Sequence, residues 1–147
     1  MATKETQASC IFCEIVAGHA PVSIVYEDDK VAVFPALEPV NAGHLLIIPK
    51  KHATYLSDLD EDSAGYAMKI AKKVAAAIRK SKYESEGINL FLADGEAAGQ
   101  EVFHLHLHVY PRYKGDGFGF KYDKDKHFVK QERSVLDEVA TEIKQYL

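Results

Sequence analysis

The sequence lacks any apolar run near the roughly 18 residues that a membrane-spanning helix needs, so no membrane partner is expected. Residues Met1 to Ser9 are polar, which argues against a secretory leader and leaves the cytoplasm as the default location. Net charge is also scant, with 18 Lys and Arg against 22 Asp and Glu giving −4. A binder of nucleic acid polymers usually carries a basic face, so none is expected as a partner. One small phosphate-bearing ligand remains compatible, because a single pocket can differ in sign from the whole surface. Cysteine is limited to Cys10 and Cys13, too few for a disulfide framework. A chain of this length buries about 68–70% of its unfolded surface and needs no such staples. Repeats and low-complexity tracts are absent. The expectation is one domain over residues 10–147 behind a flexible N-terminal tail at 1–9.

The two cysteines form a C-x-x-C, which in a reducing compartment reads as a metal or redox pair before a structural disulfide. Residues 10–18 fit one or two helical turns ending at Gly18. Two short apolar runs, SIVYE and KVAVF, flank Glu27-Asp28-Asp29 as a hairpin. Residues 44–49 read as a buried strand ended by Pro49. Over 60–82, Tyr66, Ile70, Val74 and Ile78 recur every four residues in an amphipathic helix, acidic at its start and basic at its end. Strands are expected at 88–93 and 102–110, separated by a Gly/Ala loop at 94–100. Gly115, Gly117 and Gly119 mark a mobile loop, and residues 131–146 resemble a closing helix. This order gives an α+β fold with an antiparallel sheet.

The segment 102–110, VFHLHLHVY, carries the chemistry. On a strand, Phe103, Leu105, Leu107 and Val109 share an apolar face, while His104, His106 and His108 share the other. The three histidines would span roughly 13 Å, too far for all of them to bind one ion. No carboxylate follows the row until Asp116. Imidazoles without carboxylates suit an anion: the ring is a good nucleophile and, when protonated, donates to phosphate oxygens. A covalent phospho- or nucleotidyl-histidine is the chemistry this points to.

HLHLHVY resembles the signature of the histidine triad (HIT) superfamily of nucleotide hydrolases and transferases, closer to its Hint-like bacterial branch. The segments AAGQEVF, GHLLIIPKKH, IFCEI and VYEDDKVAVF are similar to the blocks that precede that signature. The resemblance covers about residues 10–119. It implies a HIT-like fold: an antiparallel five-stranded meander sheet, a central amphipathic helix, a C-terminal helix and a two-fold homodimer. It implies a catalytic set in which His106 is the nucleophile at the α-phosphorus, His108 contacts phosphate and leaving group, and His104, Gln100 and His44 complete the site close by, His104 as a positioning residue or ligand. Gly99, Gln100, Glu101 and Val102 would border the phosphates of a purine nucleotide. Ile11, Phe12, Ile15, Phe34 and Leu37 would build the base pocket, although the same side chains also suit plain core packing.

The chain also departs from the family pattern. Ala36 replaces an Asp that binds ribose hydroxyls, Ala93 an Asn, and Glu101 a small hydroxyl residue. Losing such a polar contact costs on the order of 1–3 kcal/mol, so nucleoside specificity is altered while chemistry at phosphorus is not. Glu101 suggests a cationic amine as leaving group. The resemblance places His52 beside His104, as in relatives where CIFC and two histidines hold zinc. A structural zinc on Cys10, Cys13, His52 and His104 is therefore expected, with no organic cofactor. His19 and His127 read as surface residues, as do Lys50, Lys51 and Arg112. The C-terminal helix is expected on a partner subunit or over the substrate entrance. The function implied is a phosphoramidase-like nucleotide hydrolase. The alternatives are a dinucleoside polyphosphate hydrolase and a nucleotide-binding regulatory protein with weak activity.

Overall fold

A computed structural model describes residues 10–147; the tail expected at 1–9 lies outside them. The described residues form two compact units, one ending at Asp116 and the other comprising Gly117–Leu147. The first holds every β-strand. It runs α1 (Ile11–Val16), β1 (Tyr26–Glu27), β2 (Val31–Pro35), β3 (Leu45–Pro49), α2 (Glu61–Lys80), β4 (Gly87–Leu92) and β5 (Leu107–Arg112). The second holds α3 (Arg133–Lys144), which carries Val135, Leu136, Val139 and Ile143 along one apolar stripe.

The five strands make one antiparallel sheet in the order β1-β2-β3-β5-β4. Consecutive strands pair except where α2 crosses, after which β5 takes the place beside β3 and leaves β4 at the edge. The hairpin β1–β2 is short because Asp28 closes it, accepting hydrogen bonds on Oδ1 from the amides of Lys30 and Val31. Its Oδ2 accepts from the hydroxyls of Tyr26 and, on α2, Tyr66.

The amphipathic period over 60–82 folds as expected. Asp60 caps α2 by accepting from the amide of Ser63 at 2.8 Å, and Ile70, Ala71, Val74 and Ile78 face the sheet. They pack on Val31, Val33, Ile47, Leu107 and Val109 as the main core. Full burial of each large aliphatic side chain contributes about 1.5–3 kcal/mol. The opposite sheet face packs Ala32, Phe34, Leu46 and Ile48 against Cys10 and Phe12 from the α1 segment. One strand period thus separates two environments, and the site lies on the α1 side.

The expected strand over 102–110 is corrected: the ladder begins only at Leu107. Both partners end there. The β4 pairing stops at Leu92↔Leu107, and the β3 pairing stops at Ile47↔Leu107, two residues before Pro49, which has no amide hydrogen to donate. Residues 101–106 leave the ladder, held by the Leu105 amide donating to the Ala53 carbonyl at 2.7 Å. The alternation survives only for 107–109, where Leu107 and Val109 enter the α2 core and His108 shares the Leu46 face.

Candidate active site and metal centre

The off-ladder geometry at 101–106 differentiates the three histidines. His106 is buried, and its Nδ1 lies 2.8 Å from the backbone carbonyl of His104. A carbonyl only accepts, so Nδ1 carries the hydrogen and Nε2 is left with a bare lone pair. Phe12 packs its edge against this ring at 5.2 Å and against Phe34 at 5.7 Å, fixing the imidazole plane. Burial lowers the His106 pKa, opposed by the bond to the His104 carbonyl and the charge of Glu101. The result is a neutral ring whose Nε2 keeps a free lone pair, the form a nucleophile needs.

His108 is the next ring along, its centroid 4.8 Å from that of His106. Its Nδ1 lies 2.9 Å from Nε2 of His44, which is buried at the start of β3. Nδ1 of His44 accepts from the amide of Val40 at 3.1 Å, so His44 carries its hydrogen on Nε2 and donates it to His108. His108 must therefore carry its own hydrogen on Nε2, leaving that nitrogen as a donor. Burial first, then the neighbouring imidazoles, push both rings down to about 4. They are neutral donors at pH 7.

His104 faces the other way. Its ring is fully buried, and its Nε2 donates to the Pro49 carbonyl at 2.7 Å. Nδ1 is thereby bare, 3.4 Å from Sγ of Cys10 and 3.6 Å from Sγ of Cys13. His52 completes the group, with Nδ1 3.2 Å from Sγ of Cys13 and Nε2 3.4 Å from the Thr54 hydroxyl. Among the described residues these four ligand atoms lie within 4.8 Å of one another. A tetrahedral Cys₂His₂ zinc site has ligand–ligand edges of about 3.5 Å, from bonds of roughly 2.3 Å to sulfur and 2.0–2.1 Å to nitrogen. The three sulfur–nitrogen spacings of 3.2, 3.4 and 3.6 Å match that, the second nitrogens of both histidines are engaged elsewhere as metal-bound imidazoles require, and both cysteines are free thiols. The donor set fits a closed structural site.

Other residues singled out by the sequence fall in varied places. Gln100 is buried, and its amide is committed to backbone. Oε1 accepts from Gly95, and Nε2 donates to Thr54 and Val102. It braces the loop whose turn is closed by Gly99 at φ +88°, a conformation open to glycine. Glu101 is exposed. Phe12, Ile15, Phe34 and Val102 share the α1-side cluster, which also includes Ala36. Ile11 points outward, about half exposed, and Leu37 is 97% exposed, so the structure does not bring these two into the cluster. Arg112, expected as a solvated residue, is instead bound through Nε and Nη2 to the Asp116 carboxylate and through Nη1 to Asn89. Lys50 pairs with Glu27, and His19 lies 3.3 Å from Glu14, while His19, Lys51 and His127 are exposed. Sequence reasoning missed Val40, Asn41 and Asp116: Val40 contributes only a backbone amide to His44, and Asn41 meets Asp116 and Pro111 across 75 and 70 positions with no periodic signal.

Comparison with known proteins is concordant. The HIT domain family model matches residues 17–115. An uncharacterised HIT-like protein of Methanocaldococcus jannaschii is 39% identical over 135 residues, covering 92% of this chain and 98% of its own. Among solved structures, a zinc-bound histidine triad family protein from Mycobacterium smegmatis superposes with a TM-score of 0.74 at 39% identity, over 82% of this chain and 87% of its own. A histidine triad nucleotide-binding protein from Candida albicans superposes with a TM-score of 0.81 at 27% identity, over 94% of this chain and 96% of its own.

Proposed function

The chain belongs to the HIT family, and from that premise we propose that it is a nucleotide hydrolase acting on nucleoside phosphoramidates or related nucleotidyl conjugates. The observation that carries this reading is the tautomer pair at the site. His106 presents a bare Nε2, and beside it His108 presents Nε2–H. Nε2 of His106 bonds to the α-phosphorus as the bond to the leaving amine breaks, the amine nitrogen taking up a proton from solvent as it departs. Water then attacks phosphorus, breaking the bond to Nε2, returning that proton to solvent and releasing the mononucleotide. His108 donates a hydrogen bond to the phosphoryl group or the leaving atom. The nucleotidylated His106 ring is cationic, and the Glu101 carboxylate, whose field already favours positive charge there, stabilises it. The same carboxylate suits a cationic leaving amine such as lysine. If Glu101→Ser changes the rates on lysyl and neutral phosphoramidates equally, that preference is absent.

The nucleotide-binding neighbour from Candida albicans supports a nucleotide as ligand; a purine base, with Gly99, Glu101 and Val102 bordering the phosphates, is part of the same proposal. Cleavage of dinucleoside polyphosphates is the less supported reading, because Arg112, the residue available for a distal phosphate, is engaged by Asp116 and Asn89. For zinc, the fit of Cys10, Cys13, His52 and His104 together with the zinc-bound neighbour supports a structural ion that pins the N-terminal segment to the catalytic loop. A homodimer is supported by the edge position of β4, where Leu90 and, on α2, Met68 are exposed beside a groove also lined by Ile88 and Ala75. A second copy pairing there would extend the sheet. Among the described residues no helix is long and apolar enough to cross a membrane.

A fluorogenic adenosine phosphoramidate and a diadenosine polyphosphate, each with a His106→Ala control, test this function. Turnover of the phosphoramidate that vanishes in the control supports it. Turnover that survives the control refutes the mechanism, and binding without turnover favours a regulatory role.

A further inference from the structure

The loop before β3 has no regular structure, yet it delivers the one backbone amide on which the tautomer of His44 depends. What holds that loop is a buried polar network outside the histidine cluster. The carboxylate of Asp116 is only 4% exposed and accepts from Arg112 at Nε (2.6 Å) and Nη2 (2.9 Å). A buried carboxylate is stable only when paired and hydrogen-bonded, so Arg112 balances its charge. Its Oδ2 also accepts from Nδ2 of Asn41 at 2.9 Å, and the same Nδ2 donates to the carbonyl of Pro111 on β5 at 2.9 Å. Both hydrogens of the Asn41 amide are thereby used, tying the loop to β5. On its backbone side, the Asn41 carbonyl accepts from the amide of His44 at 3.1 Å, closing the turn in which Val40 donates to His44 Nδ1. Gly43, at φ +92°, completes the turn with the Tyr83 ring against it; a Cβ there would lie 3.0 Å from that ring.

We infer that Asn41 and Asp116 are positioning residues that set the tautomer of the His44–His108 pair, and through it the hydrogen that His108 presents to substrate. The chain of dependence is short. Asp116 and Pro111 fix Asn41, Asn41 fixes the 40–44 turn, and the Val40 amide keeps Nδ1 of His44 unprotonated. His44 then donates from Nε2, and His108 can hold its hydrogen only on Nε2. Without the turn, each ring is free to take its hydrogen on either nitrogen, and His108 presents a donor for only part of the time. The catalytic consequence rests on the proposed hydrolase reading; the tautomer does not.

The test is a long-range ¹H–¹⁵N correlation spectrum of the histidine rings near neutral pH, in the full-length protein and in Asn41→Ala. Wild type is expected to show His44 and His108 each protonated on Nε2 alone. In Asn41→Ala the His108 signals should shift toward a mixture of tautomers. Its kcat on the adenosine phosphoramidate should fall about tenfold, a part of the roughly 100-fold or more that a positioned hydrogen-bond donor to developing charge contributes, with KM within about twofold. Asp116→Asn, which removes the charge but keeps an acceptor, should move both readouts in the same direction and carries the test if Asn41→Ala does not fold. A wild-type His108 protonated on Nδ1, or folded variants that keep the pure Nε2–H tautomer, would overturn the inference. A changed tautomer with unchanged kcat would overturn its catalytic half. If wild type turns over no substrate, the tautomer readout still decides the positioning, and the hydrolase reading alone fails.

Discussion

Nδ1 of His106 donates to the backbone carbonyl of His104 at 2.8 Å, while the side chain of His104 faces Cys10 and Cys13. One residue therefore joins two centres: its ring belongs to the Cys/His cluster and its carbonyl orients the neighbouring imidazole. Disturbing the cluster is transmitted to His106 through two bonds of backbone.

The purified protein is expected to hold one zinc per chain, counted by elemental analysis. Cys10→Ser should lower its unfolding free energy by at least about 2 kcal/mol, a fraction of the roughly 10–16 kcal/mol that zinc contributes to zinc-finger peptides, because the α2-side core contains none of the four ligands. Turnover should drop in parallel. A metal-free protein with an unchanged melting temperature would reject the site.

His44 and His108 are held neutral, with pKa values pushed down to about 4 by burial and by neighbouring imidazoles. Below pH 6.5 the unfolded chain binds protons that these rings refuse until about pH 4. The stability they contribute is complete above pH 6.5 and is lost as pH falls from 6.5 toward 4. Urea melts at about pH 7.5 and pH 5 should differ by on the order of 2 kcal/mol or more, and His44→Phe should shrink that difference. An equal loss in wild type and His44→Phe would remove His44 from the account.

Asp28 joins the β1–β2 hairpin to α2 through Tyr26 at 2.7 Å and Tyr66 at 2.6 Å. Burial opposes its ionisation, but the hydrogen bonds from Tyr66, Tyr26 and the backbone outweigh it and hold the carboxyl below its ordinary range. Asp28→Asn turns one accepting oxygen into a donor facing two hydroxyls. A loss of about 1–3 kcal/mol is expected, read by chemical denaturation, with kcat unchanged because the hairpin lies away from the histidines. A neutral substitution would show that the hydrogen bonds from the two tyrosines to Asp28 do not stabilise the fold.

Gly43 combines a φ of +92° with contact to the Tyr83 ring. Gly43→Ala should cost about 1–2 kcal/mol from backbone conformation alone, with a further loss from displacing Tyr83. Tyr83→Ala in the same background should recover only the steric part. Full recovery would show that the backbone conformation carries no strain.

Much of this arrangement was legible from residue order alone. The four-residue spacing of Tyr66, Ile70, Val74 and Ile78 specifies which face of α2 is buried, because a helix repeats nearly every four residues whatever its surroundings. The resemblance over HLHLHVY and the CIFC segment anticipated that Cys10, Cys13, His52 and His104 would converge. Alternation at 102–110 misled because it is informative only while ladder partners exist, and both end at Leu107. Leu37 reads as apolar and therefore interior, yet the prolines around it carry the chain out past the core edge. The Arg112–Asp116–Asn41 network was invisible because it brings together residues up to 75 positions apart, and polar partners at such range leave no periodic trace.

The most direct measurement of the central claim is mass spectrometry of the protein quenched during turnover of an adenosine phosphoramidate. The account predicts an adenylyl adduct that maps to His106 and is absent from His106→Ala. Turnover with no adduct on His106, or with an adduct on another residue, would contradict it.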